Sequence, residues 1–133
     1  MAKENLKARG IMPSLTVNDV AASKRFYVDG LGFTVKDEWK DDKGVVMGYM
    51  LNAGSTASGL GIGQDDFAKG RDRVKGIGIR FWVETDQDLA AIAQSVKAAG
   101  FKLDSEPAKL QWGKMAFGVT DPDGYKVTIT EPN

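Results

Sequence analysis

Two residue types that usually carry chemistry are missing from this sequence. The chain has no histidine and no cysteine, so it lacks the commonest metal ligand, the usual general base near neutral pH and every thiolate nucleophile. What stands out instead is Arg80, followed two residues later by Trp82 on a predicted strand. Period-2 geometry places both side chains on one face, about 6.6 Å apart. A guanidinium binds a carboxylate and an indole stacks on a ring, so the pair predicts binding of a small aromatic or anionic molecule.

Structural roles for the same residues stay open. Arg80 and Lys126 would serve the fold if they paired with Asp37 or Glu38 on neighbouring strands. Trp82 would serve assembly if a dimer partner covered it. These alternatives predict ion pairs and a buried indole, whereas the binding interpretation predicts free cations beside an exposed indole.

Four other side chains and one glycine-rich segment are weaker candidates for a place in the binding site. Trp39 and Trp112 lie near the ends of β-segments, where packing is favoured over a place at the rim of a site. Tyr49 and Met47 lie on the predicted third strand, on a face that the pattern leaves open. Residues 59–63 alternate glycine with other residues, a spacing unlike a phosphate loop, and indicate a strand that something bulky approaches closely.

Composition and charge restrict the function classes. A chain of 133 residues, 42% hydrophobic and 27% charged, predicts one globular domain. Its 18 basic and 18 acidic residues balance, so no global field steers it toward nucleic acid or an anionic membrane. Residues 1–10 are polar and predict a flexible arm without a secretory signal, and no later stretch reaches membrane-spanning length. We expect a cytoplasmic protein.

Residues 11–69 read as a first βαβββ module. Polar and apolar residues alternate over 11–17, which predicts a strand. Asn18 and Asp19 provide cap oxygens for a helix that ends near Val28. Further strands are predicted over 33–39, 45–51 and, more briefly, 59–63.

A basic, glycine-bounded linker over 70–76 leads to a second module over 77–133. Ile77, Ile79, Phe81 and Val83 form the apolar face of its first strand. Thr85 and Asp88 form a capping-box pattern before an apolar stripe that ends at Gly100, which predicts a helix. Strands are predicted over 101–103, 114–120 and 125–130, with a turn over 121–124.

The two modules repeat one another. Val17 corresponds to Val83 and Gly32 to Gly100, at offsets of 66 and 68 residues. Offsets this similar indicate a duplicated unit. Since each module has one helix to cover one sheet face, the opposite faces are expected to curve into a cup, where ligands bind.

Two motifs resemble the vicinal-oxygen-chelate superfamily, which contains glyoxalases, bleomycin-resistance proteins and extradiol dioxygenases. The first comprises Leu15, Val17 and Asp19 followed by 26–27 and 31–33; the second comprises 112–113 and 117–124. The resemblance implies an α+β fold in which two βαβββ modules form a curved, mixed-sheet cup. Without the resemblance, residues 26–27 are consistent with core packing and residues 121–124 with a turn. The two motifs therefore identify a fold rather than an activity.

The resemblance also implies where metal ligands would lie. Its ligand positions fall on Met12, Gly78, Thr128 and a site near Gly61. A thioether, two glycines and a hydroxyl do not form the imidazole or carboxylate set that these enzymes use. We therefore expect no metal and no other cofactor.

Residues in register with those positions are expected to face into the cup. The predicted ligand-binding residues are Trp82, Arg80, Lys126, Thr128, Ser14 and Met12. The opposite face carries an almost wholly apolar set that is suited to packing on the helices: Leu15, Val17, Ile77, Ile79, Phe81, Val83, Val127 and Ile129.

The sequence is consistent with two functions from different classes, and a third interpretation is a purely structural role. The preferred one is a metal-free protein of the bleomycin-resistance kind, which sequesters a small molecule without chemistry; a basic cup argues against bleomycin itself, a cation. The second is a metal-independent isomerase or lyase with Asp37, Glu38 or Asp65 as its base. A purely structural module would need a cup filled by its own side chains. Exposed sheet edges, and the resemblance, predict a homodimer.

Overall fold

Each half of the chain folds as a helix packed on one face of a four-stranded sheet. The structure, a computed structural model, describes residues 4–132. The first sheet has the order β1-β4-β3-β2, with strands β1 (Ser14–Val17), β2 (Thr34–Lys40), β3 (Val46–Ala53) and β4 (Ser55–Gln64). The second has the order β5-β8-β7-β6, with β5 (Arg80–Glu84), β6 (Leu103–Lys109), β7 (Met115–Thr120) and β8 (Lys126–Thr130). The predicted α+β fold of two βαβββ modules is confirmed.

Both sheets are mixed, and in the same way. β1 pairs in parallel with β4, and β5 pairs in parallel with β8, while all other neighbouring strands are antiparallel. The strand order places β1 and β2 at the edges of the first sheet and β5 and β6 at the edges of the second. The two modules share this pattern because they repeat one topology.

The helices begin and end where side-chain and glycine caps allow. α1 (Val20–Lys24) starts at Asp19, whose carboxylate accepts from the amides of Ala21 and Ala22. It continues as an unpredicted π-helical segment, Arg25–Gly30. α2 (Leu89–Ala98) starts at Asp88 rather than at the predicted Thr85, whose hydroxyl instead accepts from the Gln87 amide.

Gly100 ends α2 as predicted. It has φ +94, and its amide and that of Phe101 donate to the carbonyls of Lys97 and Val96. This is the Schellman pattern, which satisfies carbonyls at a helix end. Gly100 therefore fixes the direction in which the chain leaves toward β6.

Three strand predictions were wrong. β4 has ten residues, Ser55–Gln64, rather than the short strand predicted over 59–63. β6 spans Leu103–Lys109 rather than 101–103. β5 begins at Arg80 instead of residue 77, and Ile77 and Ile79 are 78% and 42% exposed rather than packed on the helices. The cause is backbone geometry: Gly76 and Gly78 have φ values of +77 and +74, which a continuous strand cannot accommodate.

The core lies between the helices and the inner face of each sheet. Leu15, Val17, Val127 and Ile129 are buried there, as their alternation predicts. Phe81 and Val83 are partly buried against the same cluster. Tyr49 also belongs to the core, with the Lys24 ammonium 4.9 Å from its ring centroid. The opposite sheet faces are thereby left for other contacts.

The two modules join through a buried aromatic and carboxylate contact. The Tyr27 hydroxyl donates to the Asp121 carboxylate at 2.7 Å, in the interior. The other oxygen of Asp121 accepts from the amides of Asp123 and Tyr125, which shapes the turn before β8. Phe101 packs edge-on against Phe26, with centroids 5.1 Å apart. A residue predicted as part of a plain turn therefore also joins the modules.

Residues 4–10 of the predicted N-terminal arm have no regular secondary structure and are exposed, while residues 1–3 lie outside the described residues. The predicted linker, 70–76, falls in the segment between β4 and β5. Over residues 4–132, the helices are too short or too polar to cross a membrane.

We predict that Tyr27→Phe destabilises the fold by about 1 to 3 kcal/mol at pH 7, because it leaves one oxygen of a buried carboxylate without its donor. Burial raises the pKa of Asp121, and the hydrogen bond from Tyr27 opposes that rise. Without this hydrogen bond the pKa of Asp121 in the folded protein rises further above its usual value of 3.8. Protonation of Asp121 then stabilises the folded variant, so the stability lost through the substitution becomes smaller as the pH falls toward 3.8.

Chemical denaturation at pH 7 and at about pH 5 measures both effects. Tyr125→Phe is the control, since its hydroxyl donates to the exposed carbonyl of Thr16 and its loss is predicted to cost less. Equal losses for the two variants, or a Tyr27→Phe loss that grows in acid, would contradict this account of the junction.

Candidate ligand-binding site

The face of the second sheet that points away from α2 carries a small cavity. It has a volume of about 360 Å³ and lies over the middle of the sheet, where Trp82 pairs with Thr128 and Thr128 with Gly118. Its lining comprises Arg80, Trp82, Asp104, Ser105, Leu110, Ala116, Phe117, Gly118, Lys126 and Thr128. Four of the six predicted ligand-binding residues, Arg80, Trp82, Lys126 and Thr128, are thus brought together.

Arg80 is fixed in this cavity by a neighbouring strand. Its guanidinium donates to the Thr128 hydroxyl at 3.0 Å, and Arg80 pairs with Lys126 in the register of β5 and β8. Within residues 4–132, no carboxylate lies within 4 Å of either cation. The guanidinium has five N–H donors, so most of its bonding capacity is available to a ligand.

The alternative pairing of these cations with Asp37 or Glu38 is wrong. Both carboxylates lie on β2, at the far edge of the other sheet. Glu38 lies 3.7 Å from Lys40, and Asp37 accepts from the Glu38 amide. The sequence could not separate these options because it does not specify which sheet each strand joins.

Trp82, which lines the cavity, lies beside Trp112, which follows the lining residue Leu110 by two positions. Their ring centroids are 6.4 Å apart and their planes are inclined by 48°. Trp82 is 55% exposed and Trp112 is 63% exposed. Trp112 belongs to the turn between β6 and β7, whose base is closed by the Gly113 amide donating to the Leu110 carbonyl. The packing role favoured for Trp112 is therefore not observed.

Ser14 lies on β1 of the first sheet and Met12 precedes that strand, and neither residue lines this cavity. Ser14 pairs with Gly61, and the Met12 methyl lies over Gly59. A methyl group built on Gly48 would lie 1.9 Å from the Trp39 indole, so only glycine fits beneath that ring. The bulky groups predicted to approach the glycine-rich strand are thus Met12 at Gly59 and, near Gly63, Trp39.

A larger cleft of about 480 Å³ separates the two modules. Its walls are mainly apolar and include Tyr27, Phe33, Phe81, Trp82 and Val127. Glu84 is the charged residue in its lining. Trp82 thus borders both spaces, but the cations of the first cavity do not reach the cleft.

Asp65, one of the candidate bases, is held as an ion-paired carboxylate. It lies 2.9 Å from the Lys75 ammonium and 3.3 Å from the Arg73 guanidinium. The hydrogen bond to Lys75 is the main cause that lowers the pKa of Asp65. A general base near neutral pH needs a raised carboxylate pKa, so this environment favours a structural role for Asp65.

The residues at the family's metal positions do not form a metal site. Gly78 precedes β5 and Gly61 pairs with Ser14, so neither offers a side-chain donor. The Thr128 hydroxyl already accepts from Arg80, and Met12 offers only a thioether. Residues 4–132 contain no cluster of three or more histidine, cysteine, aspartate or glutamate residues suited to a metal ion. The donor set thus disagrees with the metal implied by the resemblance.

Solved structures share this fold at low sequence identity. UcmS2 aligns with a TM-score of 0.73 and 18% identity over 96% of this chain and all of its own. TioX from Micromonospora sp. ML1 aligns at 0.71 and 16%, over 93% of this chain and 98% of its own. A V278E mutant of glyoxalase I from Zea mays aligns at 0.76 and 19% over 93% of this chain, which spans 44% of that enzyme.

Among the sequence comparisons, no curated protein matches the chain significantly, but one family profile does. The sequence profile described as Glyoxalase/Bleomycin resistance protein/Dioxygenase superfamily matches residues 11–129, which include both βαβββ modules. The chain therefore belongs to the glyoxalase, bleomycin-resistance protein and dioxygenase superfamily.

Proposed function

We propose that this protein binds a small aromatic or anionic molecule on the face of its second sheet that points away from α2, without a metal ion. The single observation that carries the proposal is the guanidinium of Arg80, which has no carboxylate partner within residues 4–132 and is held by Thr128 beside the exposed indole of Trp82. A fixed guanidinium that lacks a carboxylate partner is suited to an anionic ligand. The adjacent indole adds a stacking surface that loses little conformational entropy on binding.

A second cation supports the same interpretation. Lys126 lines the cavity beside Arg80, and the carboxylate of Asp104, which also lines it, accepts from the hydroxyl of Thr120, the register partner of Lys126. Two neighbouring cations that, within residues 4–132, have no carboxylate within 4 Å attract the anionic part of a ligand. Thr128, Gly118 and Ala116 are small or buried residues, which leaves room for the rest of the molecule.

Binding without chemistry accounts for more of the site than catalysis does. Asp65 is ion-paired, and Asp37 and Glu38 lie on β2 of the first sheet rather than in the cavity. The family includes bleomycin-resistance proteins as well as enzymes, and the resemblance to the former implies sequestration of a small molecule. We therefore prefer a binding protein to a metal-independent isomerase or lyase.

A homodimer is part of this proposal. β1 and β5 each lie at the edge of a sheet, and such edges readily pair with another chain. Ile77 and Ile79 lie exposed immediately before β5, so a partner that covers this edge would also bury apolar surface. Two copies related by a twofold axis would each present one equivalent site.

We predict that Trp82→Ala and Arg80→Ala each weaken ligand binding by about 1 to 3 kcal/mol, because each removes a direct contact. Neither substitution leaves a packed cavity, so the melting temperature is expected to change little. A fluorescence-detected screen of aromatic carboxylates on the wild type and both variants, with and without EDTA, measures this.

Lys102→Ala is the matched control, since Lys102 is exposed and lies outside the cavity lining. Binding should resist EDTA if no metal takes part. The proposal fails if both variants bind the wild-type hit unchanged, or if chelation abolishes binding.

We predict that the protein in solution has twice the 14.4 kDa mass of one chain. Substituting both Ile77 and Ile79 by aspartate is expected to give a monomer, because charge would be placed on the apolar surface beside the β5 edge. Light scattering at micromolar concentration measures the mass. Val45→Asp, at another exposed apolar residue, should remain dimeric; a monomeric wild type would refute the dimer.

A further inference from the structure

Trp82 and Trp112 form a pair of neighbouring aromatic surfaces that the fold itself does not cover. Each indole is more than half exposed, and the rings are inclined by 48° with centroids 6.4 Å apart. Adjacent large apolar groups in contact with water forgo the stabilisation that burial would give them. Trp82 lines a cavity in which, among residues 4–132, neither Arg80 nor Lys126 has a carboxylate within 4 Å, so an anionic ligand there is placed to cover both rings.

The spacing of the two indoles is close to what an inserted flat ring requires. A ring stacked between two parallel aromatic planes needs about 3.5 Å on each side, or about 7 Å in total. The observed 6.4 Å separation and open angle therefore require a small outward shift and a rotation that brings the planes parallel. A saturated ring is thicker and puckered, so it would make poorer contact with both faces.

The chain supports one indole more firmly than the other. Trp82 lies within β5, in register with Thr128 on β8. Trp112 instead lies in the turn that joins β6 and β7, beside Gly113, which has φ +91. A side chain on an exposed turn can change rotamer without disturbing the sheet. Trp112 is thus suited to rotate onto a ligand that rests against Trp82.

The cations add a second requirement to the ligand. Arg80 and Lys126 line the same cavity as Trp82, and Arg80 is two residues before Trp82 on the strand, about 6.6 Å away. A ring between the indoles would place a directly attached carboxylate within reach of the guanidinium. The floor beneath includes Gly118, which has no side chain to obstruct a flat molecule.

We propose that Trp82 and Trp112 act as an aromatic clamp that selects flat aromatic carboxylates over saturated carboxylates of similar size. This inference rests on the proposed function, and it adds to that function the chemical class of the ligand and a specific role for Trp112. In this arrangement Arg80 and Lys126 bind the carboxylate, Trp82 supports one face of the ring and Trp112 covers the other.

The test compares 2-naphthoate with its saturated analogue, decahydro-2-naphthoate, by isothermal titration calorimetry. The two anions carry the same charged group and differ mainly in the flatness of the rings. We expect the wild type to bind 2-naphthoate about tenfold or more tightly than the analogue, the size of effect that aromatic stacking supplies. Trp112→Ala should lose most of this preference, while Trp112→Phe should keep part of it.

Gln111→Ala is the matched control, because Gln111 is exposed in the same turn and does not line the cavity. It should bind both compounds as the wild type does, and thermal melts should show that all variants fold. The ratio of the two affinities is the decisive readout, since a loss of structure would weaken both compounds alike.

The clamp and the proposed function fail in different ways. If Trp112→Ala keeps the full preference for 2-naphthoate while Arg80→Ala weakens binding, the clamp is wrong and the anion site stands. If the wild type shows no preference between the two compounds, the clamp is also wrong. If the wild type binds neither compound at millimolar concentration, the clamp is overturned together with the binding of aromatic carboxylates.

Discussion

The hydrogen bond from the Tyr27 hydroxyl to the Asp121 carboxylate is a buried polar contact between the two halves of this protein. Less buried bonds of Asn18, Ser23 and Tyr125 also cross between the halves. The bond from Tyr27 to Asp121 joins the π-helical segment of the first module to the turn that precedes β8 in the second. Because the same carboxylate also accepts from the amides of Asp123 and Tyr125, it shapes that turn and couples it to the junction. Lys126 and Thr128 follow directly on β8. The placement of the proposed ligand-binding face therefore depends on a contact outside it.

In the cavity of the second sheet, a cation, Arg80, contacts the residue at one of the metal-ligand positions that the resemblance implies. The resemblance places a metal ligand at Thr128, yet its hydroxyl accepts from Arg80. A guanidinium offers a positive charge and directed donors, but it cannot polarise a substrate by coordination as a metal does. Residues at this location are consequently suited to hold an anion rather than to activate one, which agrees with a binding protein.

Local patterns in the sequence predicted much of the fold. The alternation of Leu15 with Val17, and of Val127 with Ile129, identified the buried face of β1 and β8 because strand periodicity is a local property. Gly100 identified the end of α2 for a similar reason. Ile77 and Ile79 continue the same alternation into a segment where two left-handed glycines interrupt the strand. Apolar alternation alone therefore overestimated the length of β5.

The parts of the candidate site that could not be predicted depend on contacts between residues that are far apart in the sequence. Arg80 and Trp82 could be paired from the sequence because they lie two residues apart, whereas the approach of Trp112 to Trp82 joins a turn to a strand and has no local signature. The Tyr27 to Asp121 bond spans 94 positions and could not be distinguished from separate core and turn roles. In the same way, no local rule specified that Trp39 covers Gly48.

The indole N–H resonances of Trp39, Trp82 and Trp112 offer the most direct measurement of where a ligand binds, since each tryptophan gives one signal from a known place in the fold. A titration of the labelled protein with 2-naphthoate, followed by heteronuclear NMR, reports all three together. Binding on the face of the second sheet that points away from α2 predicts the largest shifts at Trp82 and Trp112. Shifts at Trp39 with none at Trp82 would place the site on the first sheet and contradict the account.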